Sequence, residues 1–202
     1  SKLLYPYDID MNSSRKIFFI GREKEEDIRN NNSMNKKSKN KKRLLVYFGH
    51  FHDEIEVKIP SYIINKLRQT DLQVTMAISN LKEWNTELDE NMASNVFLDK
   101  EVDFESCMSK ADLYICHGGM GGIQEALLNE VPILCVPTSG ERYENAKRLE
   151  ELSAGLWIKP DLEELEEKFL TYIQLMLSDD TYKTNVKKIA ESYKEDVANT
   201  KK

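Results

Sequence analysis

The residues with the most recognisable chemistry form a glycine-rich segment in the second half of the chain. A short apolar run at residues 113–116 leads into the run His-Gly-Gly-Met-Gly-Gly at 117–122, and residues 124–129 have the spacing of a helix. Glycine has no Cβ, so this backbone can approach a ligand closely. The first N–H groups of a helix are unpaired and carry the positive end of its dipole. The segment therefore predicts a site for a phosphate or a diphosphate.

Polar side chains flank this segment and also follow the next apolar run. His117 stands at the end of the strand-like run, and Glu125 lies one turn into the helix. Beyond the run at 132–136, Glu141 can accept hydrogen bonds from sugar hydroxyls, and Arg142 can meet a phosphate or a carboxylate. Asn145 follows on the first turn of the next predicted helix. We predict that the two loops contribute to one binding site.

Two familiar nucleotide-binding motifs do not fit the glycine segment. A dinucleotide fingerprint that used Gly119 and Gly121 would need glycine or alanine at position 124, which is Gln124, and the following strand lacks an acidic residue for a ribose. A Walker-type loop is excluded because no Gly-Lys-Ser/Thr follows the glycines. The phosphate ligand therefore belongs to another class.

Alternating strands and helices must position these residues. Strands are predicted at residues 44–48, 73–79, 95–98, 113–116, 132–136 and 156–158. Helices are predicted at residues 60–69, 104–110, 122–129, 143–153, 161–177 and 180–196, the first with Pro60 in its first turn. This order indicates an α/β fold with a Rossmann-like parallel sheet covered by helices on both faces. Ligands bind such sheets at the carboxyl ends of the strands, so the loops that start at Gly49, His117 and Pro137 are expected to converge.

Composition limits the class of protein and its partners. The chain has 202 residues, 40% of them hydrophobic, and a net charge of −6, which favours an acidic cytoplasmic protein and gives no reason to expect nucleic acid as a partner. Its three cysteines show no metal-ligand spacing, and no apolar run reaches the roughly 18 residues of a membrane span. Residues 44–202 are predicted to form the binding domain. Residues 1–43 are predicted to be the end of a preceding domain and a linker, with a disordered loop rich in Asn and Lys.

Taken together, these residues resemble the carboxyl-terminal half of the UDP-glycosyltransferase superfamily, whose GT-B enzymes use nucleotide sugars. The family pattern is a His-x-Gly-x-Gly-Ser/Thr segment followed by Glu, a Gly-Val-Pro strand entry, and then Pro, Asp-Gln and Asn-Ala. The corresponding residues here are His117, Gly119, Gly121, Gly122, Glu125, Glu130-Val131-Pro132, Pro137, Glu141-Arg142 and Asn145-Ala146. The resemblance covers residues 17–158 and is most specific at 111–146.

The resemblance implies a role for each matching residue in binding a nucleoside-diphosphate sugar. His117 and the loop Gly118–Gly122 would hold the diphosphate, with the N–H groups of Gly119, Gly121 and Gly122 as donors. Glu125 would bind the ribose hydroxyls, and the backbone of Val102 would face the base. Glu141 would bind hydroxyls of the donor sugar, and Asn145 would lie near the phosphate or the sugar. Gly49 and His50 would lie beside the phosphates. The leaving diphosphate would be stabilised electrostatically, with no metal and no cofactor.

The chain departs from the family pattern at several positions. Gly122 replaces the Ser or Thr that gives a hydroxyl to phosphate, and His50 replaces the Ser or Thr after the first strand. Glu101 and Asp103 replace an aromatic residue and a proline near the base. Arg142 replaces Gln beside the sugar, where it would either select an acidic or modified sugar or point to solvent.

The resemblance also implies an enzyme with two halves. In the family, the acceptor site and the general base lie in an amino-terminal half of comparable size, and the residues before 17 are too few to form it. We therefore expect this chain to bind the donor of a hexosyltransferase but to be inactive alone, with the other half joined in cis or supplied in trans. The acceptor, a small molecule or a lipid, is not identified by the sequence.

Two further interpretations remain. A UDP-sugar 2-epimerase is suggested by Gly-Gly-Ile-Gln-Glu at 121–125 and Gly-Glu-Arg-Tyr-Glu at 140–144, although that family has Asp where this chain has His117. A non-catalytic module that binds a nucleotide sugar or a partner protein would also explain the departures from the pattern.

Overall fold

The computed structural model describes residues 41–49, 54–77, 95–99 and 102–200. Residues 1–40, which include most of the Asn- and Lys-rich loop, lie outside these ranges, as do His50 and Glu101. The boundary predicted at residue 43 is therefore not tested, and the description below concerns the predicted binding domain.

Six parallel strands form a single sheet, and helices connect them. The strands are β1 (Arg43–Tyr47), β2 (Gln73–Ala77), β3 (Val96–Asp99), β4 (Leu113–Cys116), β5 (Ile133–Cys135) and β6 (Gly155–Trp157). The helices are α1 (Glu54–Leu67), α2 (Phe104–Met108), α3 (Met120–Leu128), α4 (Gly140–Glu151), α5 (Leu162–Ser178) and α6 (Asp180–Thr200). The strand order is β3-β2-β1-β4-β5-β6, that of a doubly wound sheet.

The sheet separates two hydrophobic cores, which explains the apolar sequences of its strands. In β1, Leu44 and Val46 face one core while Leu45 faces the other, because successive side chains of a strand point to opposite faces. Helices α1 and α5 cover the first core, and α3, α4 and α6 cover the second. The predicted fold class, a parallel sheet with helices on both faces, is confirmed.

Helix α1 begins earlier than the sequence pattern predicted. We expected Pro60 in its first turn, because proline lacks an N–H and suits that position. This was wrong, since the helix starts at Glu54 and Pro60 lies inside it. Ile59, Ile63 and Leu67 follow one another at helical spacing and are all buried. The continuous apolar face therefore outweighs the single backbone hydrogen bond that an internal proline removes.

Both helices beside the predicted site also begin earlier than expected. Helix α3 starts at Met120, so Gly121 and Gly122 belong to its first turn. Helix α4 starts at Gly140, which places Asn145 in its second turn and corrects the prediction of a first-turn position. Glycine weakens a helix by ~1 kcal/mol relative to alanine, which is why the sequence pattern placed these starts too late.

The last helix, α6, closes the second core. Its residues Val186, Ile189 and Tyr193 are buried in that core, and the helix packs beside α3. Among the helices in the described ranges, none combines the length and the apolar character that crossing a bilayer requires.

Candidate functional site

The site lies at the point in the sheet where the chain stops adding strands on one side of β1 and begins adding them on the other. From β1 the chain builds outward through β2 and β3, and it then returns to add β4 on the other side of β1. The loops after β1 and β4 therefore diverge and leave a crevice between them, at the edge where parallel sheets bind ligands. The loop after β5 lies next to the loop after β4, since these strands are neighbours.

The His117 ring connects the first two loops. A Cβ built on Gly49 would lie 3.1 Å from His117 Cε1, and a Cβ built on Gly119 would lie 2.5 Å from His117 Nε2. The imidazole thus occupies space that a side chain at either position would need. Gly49 also has a φ of +75°, a conformation that glycine adopts without strain. These contacts bring Gly49 and His117 together as predicted.

Gly118 is held from three directions. Its N–H points to Cys116 Sγ at 3.4 Å, and its carbonyl accepts a hydrogen bond from Asn145 Nδ2 at 3.0 Å. Its φ is +86°, and a Cβ there would lie 2.9 Å from the backbone oxygen of Arg142. Asn145 is 4% exposed. It therefore supports the glycine loop from α4, a contact that the sequence pattern did not predict.

Two helix N-termini open onto the same edge. Gly119 and Ser139 are the N-caps of α3 and α4, and in the described part of the chain neither helix start is capped by a side-chain hydrogen bond. The first turn of α3 contains no acidic residue. Its N–H groups and its dipole therefore favour an anion above Met120–Gly122. The exposed Glu141 lies in the first turn of α4.

Glu125 is a largely buried carboxylate on α3. It is 9% exposed, and its Oε1 accepts a hydrogen bond from Asn129 Nδ2 at 2.9 Å. The same amide donates to the Glu125 carbonyl at 2.8 Å. Asn129 thus orients the carboxylate from one turn further along the helix. The role of Asn129 was not predicted from the sequence, although its spacing of four residues from Glu125 is the signal for such a pair.

Arg142 lies against its own loop. Its Nη1 donates to Thr138 Oγ1 at 2.5 Å, and its side chain is partly buried. The guanidinium is therefore held beside Thr138, in the loop that precedes α4, while the backbone of Arg142 lies against Gly118.

Val102 lies at the same edge of the sheet, just before α2. It is partly buried beside Phe104, whose ring contacts Tyr47 and Tyr114 edge-on with centroids 5.5 and 5.8 Å apart. Asp103 caps α2 by accepting the Ser106 N–H at 3.1 Å. Capping explains an acidic residue where the family pattern has proline.

A buried polar layer lies beneath the glycine loop. Cys116 Sγ and Cys135 Sγ are 4.0 Å apart on neighbouring strands. The hydrogen bond with Cys116, together with burial, raises the pKa of the Cys135 thiol well above its usual value. Burial raises the pKa of the Tyr114 phenol in the same way. These groups stay protonated and form a neutral support for the loop.

Comparisons with known proteins agree with this architecture. A model of the glycosyltransferase family 28 C-terminal domain matches residues 60–200. UDP-glucuronosyltransferase 1A6 of Oryctolagus cuniculus is 29% identical over 107 residues, which are 52% of this chain and 20% of that protein. The NDP-glycosyltransferase YjiC of Bacillus subtilis (strain 168) is 30% identical over 132 residues, which are 65% of this chain and 33% of that protein.

A solved structure shows the same fold over nearly all of the chain. The glycotransferase of kitacinnamycin matches with a TM-score of 0.80 at 20% identity, over 97% of this chain and 50% of that one. The matched regions thus span 20% to 33% of the two curated relatives and half of this structural neighbour.

Proposed function

The chain belongs to the family of the glycosyltransferase family 28 C-terminal domain, and we propose that it is the half of a glycosyltransferase that binds a nucleoside-diphosphate sugar. This proposal rests on the start of α3 beside His117, which has neither a side-chain cap nor an acidic residue in its first turn. This start follows β4, the strand at which the chain begins to build on the other side of β1. Such a start attracts phosphate groups, and the glycines beside it let a diphosphate approach the backbone closely.

Each part of the ligand is assigned to a part of the crevice. The diphosphate contacts His117 and the N–H groups of Gly119, Gly121 and Gly122, with Gly49 beside the His117 ring. His50 lies outside the described residues and stays a predicted phosphate contact. Glu125, oriented by Asn129, accepts hydrogen bonds from the ribose hydroxyls. The base lies by Val102, and the sugar lies between Glu141 and Arg142. Gly118 and Asn145 hold the loop in place.

The chemistry at this site is stabilisation of a leaving group. When the bond between the sugar and the β-phosphate oxygen breaks, its electron pair stays on that oxygen and the departing diphosphate gains one negative charge. Fixed N–H dipoles stabilise such charge without reorganising during the reaction. We propose that the helix start and His117 provide this stabilisation with no metal and no other cofactor. Arg142 adds a positive charge beside the sugar, which favours an acidic sugar such as the one named in the rabbit relative.

The acceptor and the general base are assigned to an amino-terminal half, in cis or in trans. Its acceptor is a small molecule or a lipid, and the transferred sugar is a hexose. We expect the 202-residue chain by itself to bind its donor without transferring the sugar, in a cytoplasmic setting. The relatives reported above are a UDP-glucuronosyltransferase and an NDP-glycosyltransferase, which favours UDP-sugars as the first candidates.

Calorimetric titration of the chain with UDP, TDP, GDP and their sugar conjugates tests this proposal. We expect micromolar binding of one nucleotide and weaker binding of the other two. Adenosine diphosphate serves as a control for nonspecific attraction of phosphate. Absence of binding to every nucleotide would contradict the donor-binding role and would favour a partner module.

A further inference from the structure

Tyr114 is a buried side chain to which neither the sequence pattern nor the proposed chemistry gives a role. It lies in β4 and is 1% exposed. Because side chains alternate along a strand, Tyr114 and Cys116 point to the same face, directly under α3 and the glycine loop. The two side chains therefore form a row that extends from the core to the site.

The hydroxyl of Tyr114 reaches the first turn of α3. A Cβ built on Gly122 would lie 2.5 Å from Tyr114 Oη and 3.2 Å from both Cε1 and Cζ of the ring. Real Cβ atoms essentially never approach another heavy atom within 3.0 Å. The phenol thus occupies the space of a side chain at position 122, directly below N–H groups assigned to the diphosphate.

The next side chain of the row contacts the other half of the loop. Cys116 lies two residues beyond Tyr114 on the same face of β4, and its Sγ accepts the Gly118 N–H at 3.4 Å. Burial keeps the phenol protonated by raising its pKa, so it remains a neutral hydrogen-bonding group. The row therefore supports the loop at Gly118 and at Gly122 together.

We propose that Tyr114 is a positioning residue of the diphosphate site, whose hydroxyl sets the position of the first turn of α3 under Gly122, beside the Gly118 amide that Cys116 holds. This inference rests on the proposed function, because it concerns the geometry of the same N–H groups. It also gives a reason for glycine at position 122, where a larger side chain would meet the phenol.

Unfolding by urea tests the contact without any ligand. Gly122→Ala should lower the unfolding midpoint, because its Cβ collides with Tyr114 Oη. The matched control is Gly121→Ala on the same turn, where a Cβ meets nothing within 4 Å, and its midpoint should stay level or rise. Tyr114→Phe removes the shortest of the three contacts. The double variant Tyr114→Phe/Gly122→Ala should therefore lose less stability than the sum of the two single variants.

Binding of inorganic pyrophosphate, UDP and UMP tests the positioning role. Tyr114→Phe should raise the dissociation constants of pyrophosphate and UDP roughly three- to tenfold, because the first turn of α3 loses the hydroxyl beneath it, and that of UMP by less. Tyr193→Phe is the control. It removes another buried tyrosine hydroxyl from the same core, near the far end of α3, where Lys194 lies beside Glu130. It should leave all three constants unchanged.

The outcomes separate this inference from the proposed function. Additive stability losses in the double variant would overturn the contact between Tyr114 and position 122. Equal losses of UDP and UMP affinity in Tyr114→Phe, or none, would overturn the positioning role while the donor site stands. Failure of the unmodified chain to bind pyrophosphate or any nucleotide would overturn the proposed function and the diphosphate role together, whereas the unfolding data would still decide the contact.

Discussion

At the residue scale, the site depends on side chains that hold backbone in place as much as on side chains that face the crevice. Cys116 and Asn145 fix the N–H and the carbonyl of Gly118, and the His117 ring fills the space beside two glycines. The sequence predicted His117 and the glycines from their types and spacing. The bond from Asn145 to Gly118 was not predictable, because it joins residues on different elements that only the folded sheet brings together.

The carboxylate of Glu125 provides the first prediction. Glu125→Ala should weaken nucleoside-diphosphate binding by ~1.5–3 kcal/mol, the range for hydrogen bonds to a charged group. Calorimetry with UDP measures the loss, and circular dichroism checks that the domain remains folded. Glu151→Ala, which removes an exposed carboxylate at the far end of α4, is the control. Unchanged affinity in Glu125→Ala would show that the ribose lies elsewhere.

The amide of Asn145 provides the second prediction. Asn145→Ala leaves the Gly118 carbonyl without this partner, which should lower the free energy of unfolding by ~1–3 kcal/mol. Pyrophosphate binding should weaken as well, since the loop loses a support. Chemical denaturation and titration measure the two effects. Lys147→Ala, on the exposed side of the same helix, should change neither, and a similar loss in both variants would refute the specific role of the amide.

At the element scale, apolar runs predicted every described strand and helix, but several helix starts were misplaced. Ile133 and Leu134 face opposite sides of the sheet, and both are buried because helices cover both sides. The strands of such a sheet are therefore continuous apolar runs that are easy to recognise. The starts of α3 and α4 contain glycine, which disfavours a helix, and α1 passes through Pro60. In each case tertiary packing outweighs local preference, and a single sequence contains no direct record of that packing.

The two glycines at these helix starts provide a third prediction. Gly119→Ala places a Cβ 2.5 Å from His117 Nε2, so the ring must move and pyrophosphate binding should weaken by roughly tenfold or more. Gly140→Ala meets nothing within 4 Å and should be neutral or slightly stabilising, because alanine is the better helix former. Thermal unfolding measures the stability of the two variants, and calorimetry measures their affinity for pyrophosphate. Equal behaviour of the two variants would contradict the packing of His117 against Gly119.

At the scale of the whole molecule, the family resemblance and the C-terminal domain fold of a GT-B glycosyltransferase are confirmed. The specific part of the resemblance, residues 111–146, lies within the matched region. The relatives reported above are glycosyltransferases, which supports the proposed transfer of a sugar over the alternative of epimerisation. The identity of the base was not predictable, since Glu101 and Asp103 replace the aromatic residue and the proline of the family pattern near the base.

The buried thiols provide a fourth prediction, which depends on the integrity of the whole sheet. Cys107, Cys116 and Cys135 are all buried, and burial raises the pKa of the Cys107 thiol. We expect iodoacetamide to modify none of them in the native protein at pH 8, and all three after unfolding in urea, because the thiolate is the reactive form. Mass spectrometry counts the adducts. Rapid native labelling of Cys116 or Cys135 would contradict the closed layer beneath the loop.

The pairing of β1 with β4 has a consequence for how the protein folds. Leu44 lies beside Leu113 in the sheet, and Asp112 accepts the Arg43 N–H at 2.8 Å, so the two ends of a long intervening segment must meet. Closing such a loop costs entropy before the pairing contributes any stability, and contacts between distant residues slow folding. The crevice does not exist until this step is complete. A nucleotide that binds there should therefore slow unfolding without speeding the early stages of refolding, so that its benefit appears as a longer lifetime of the native state.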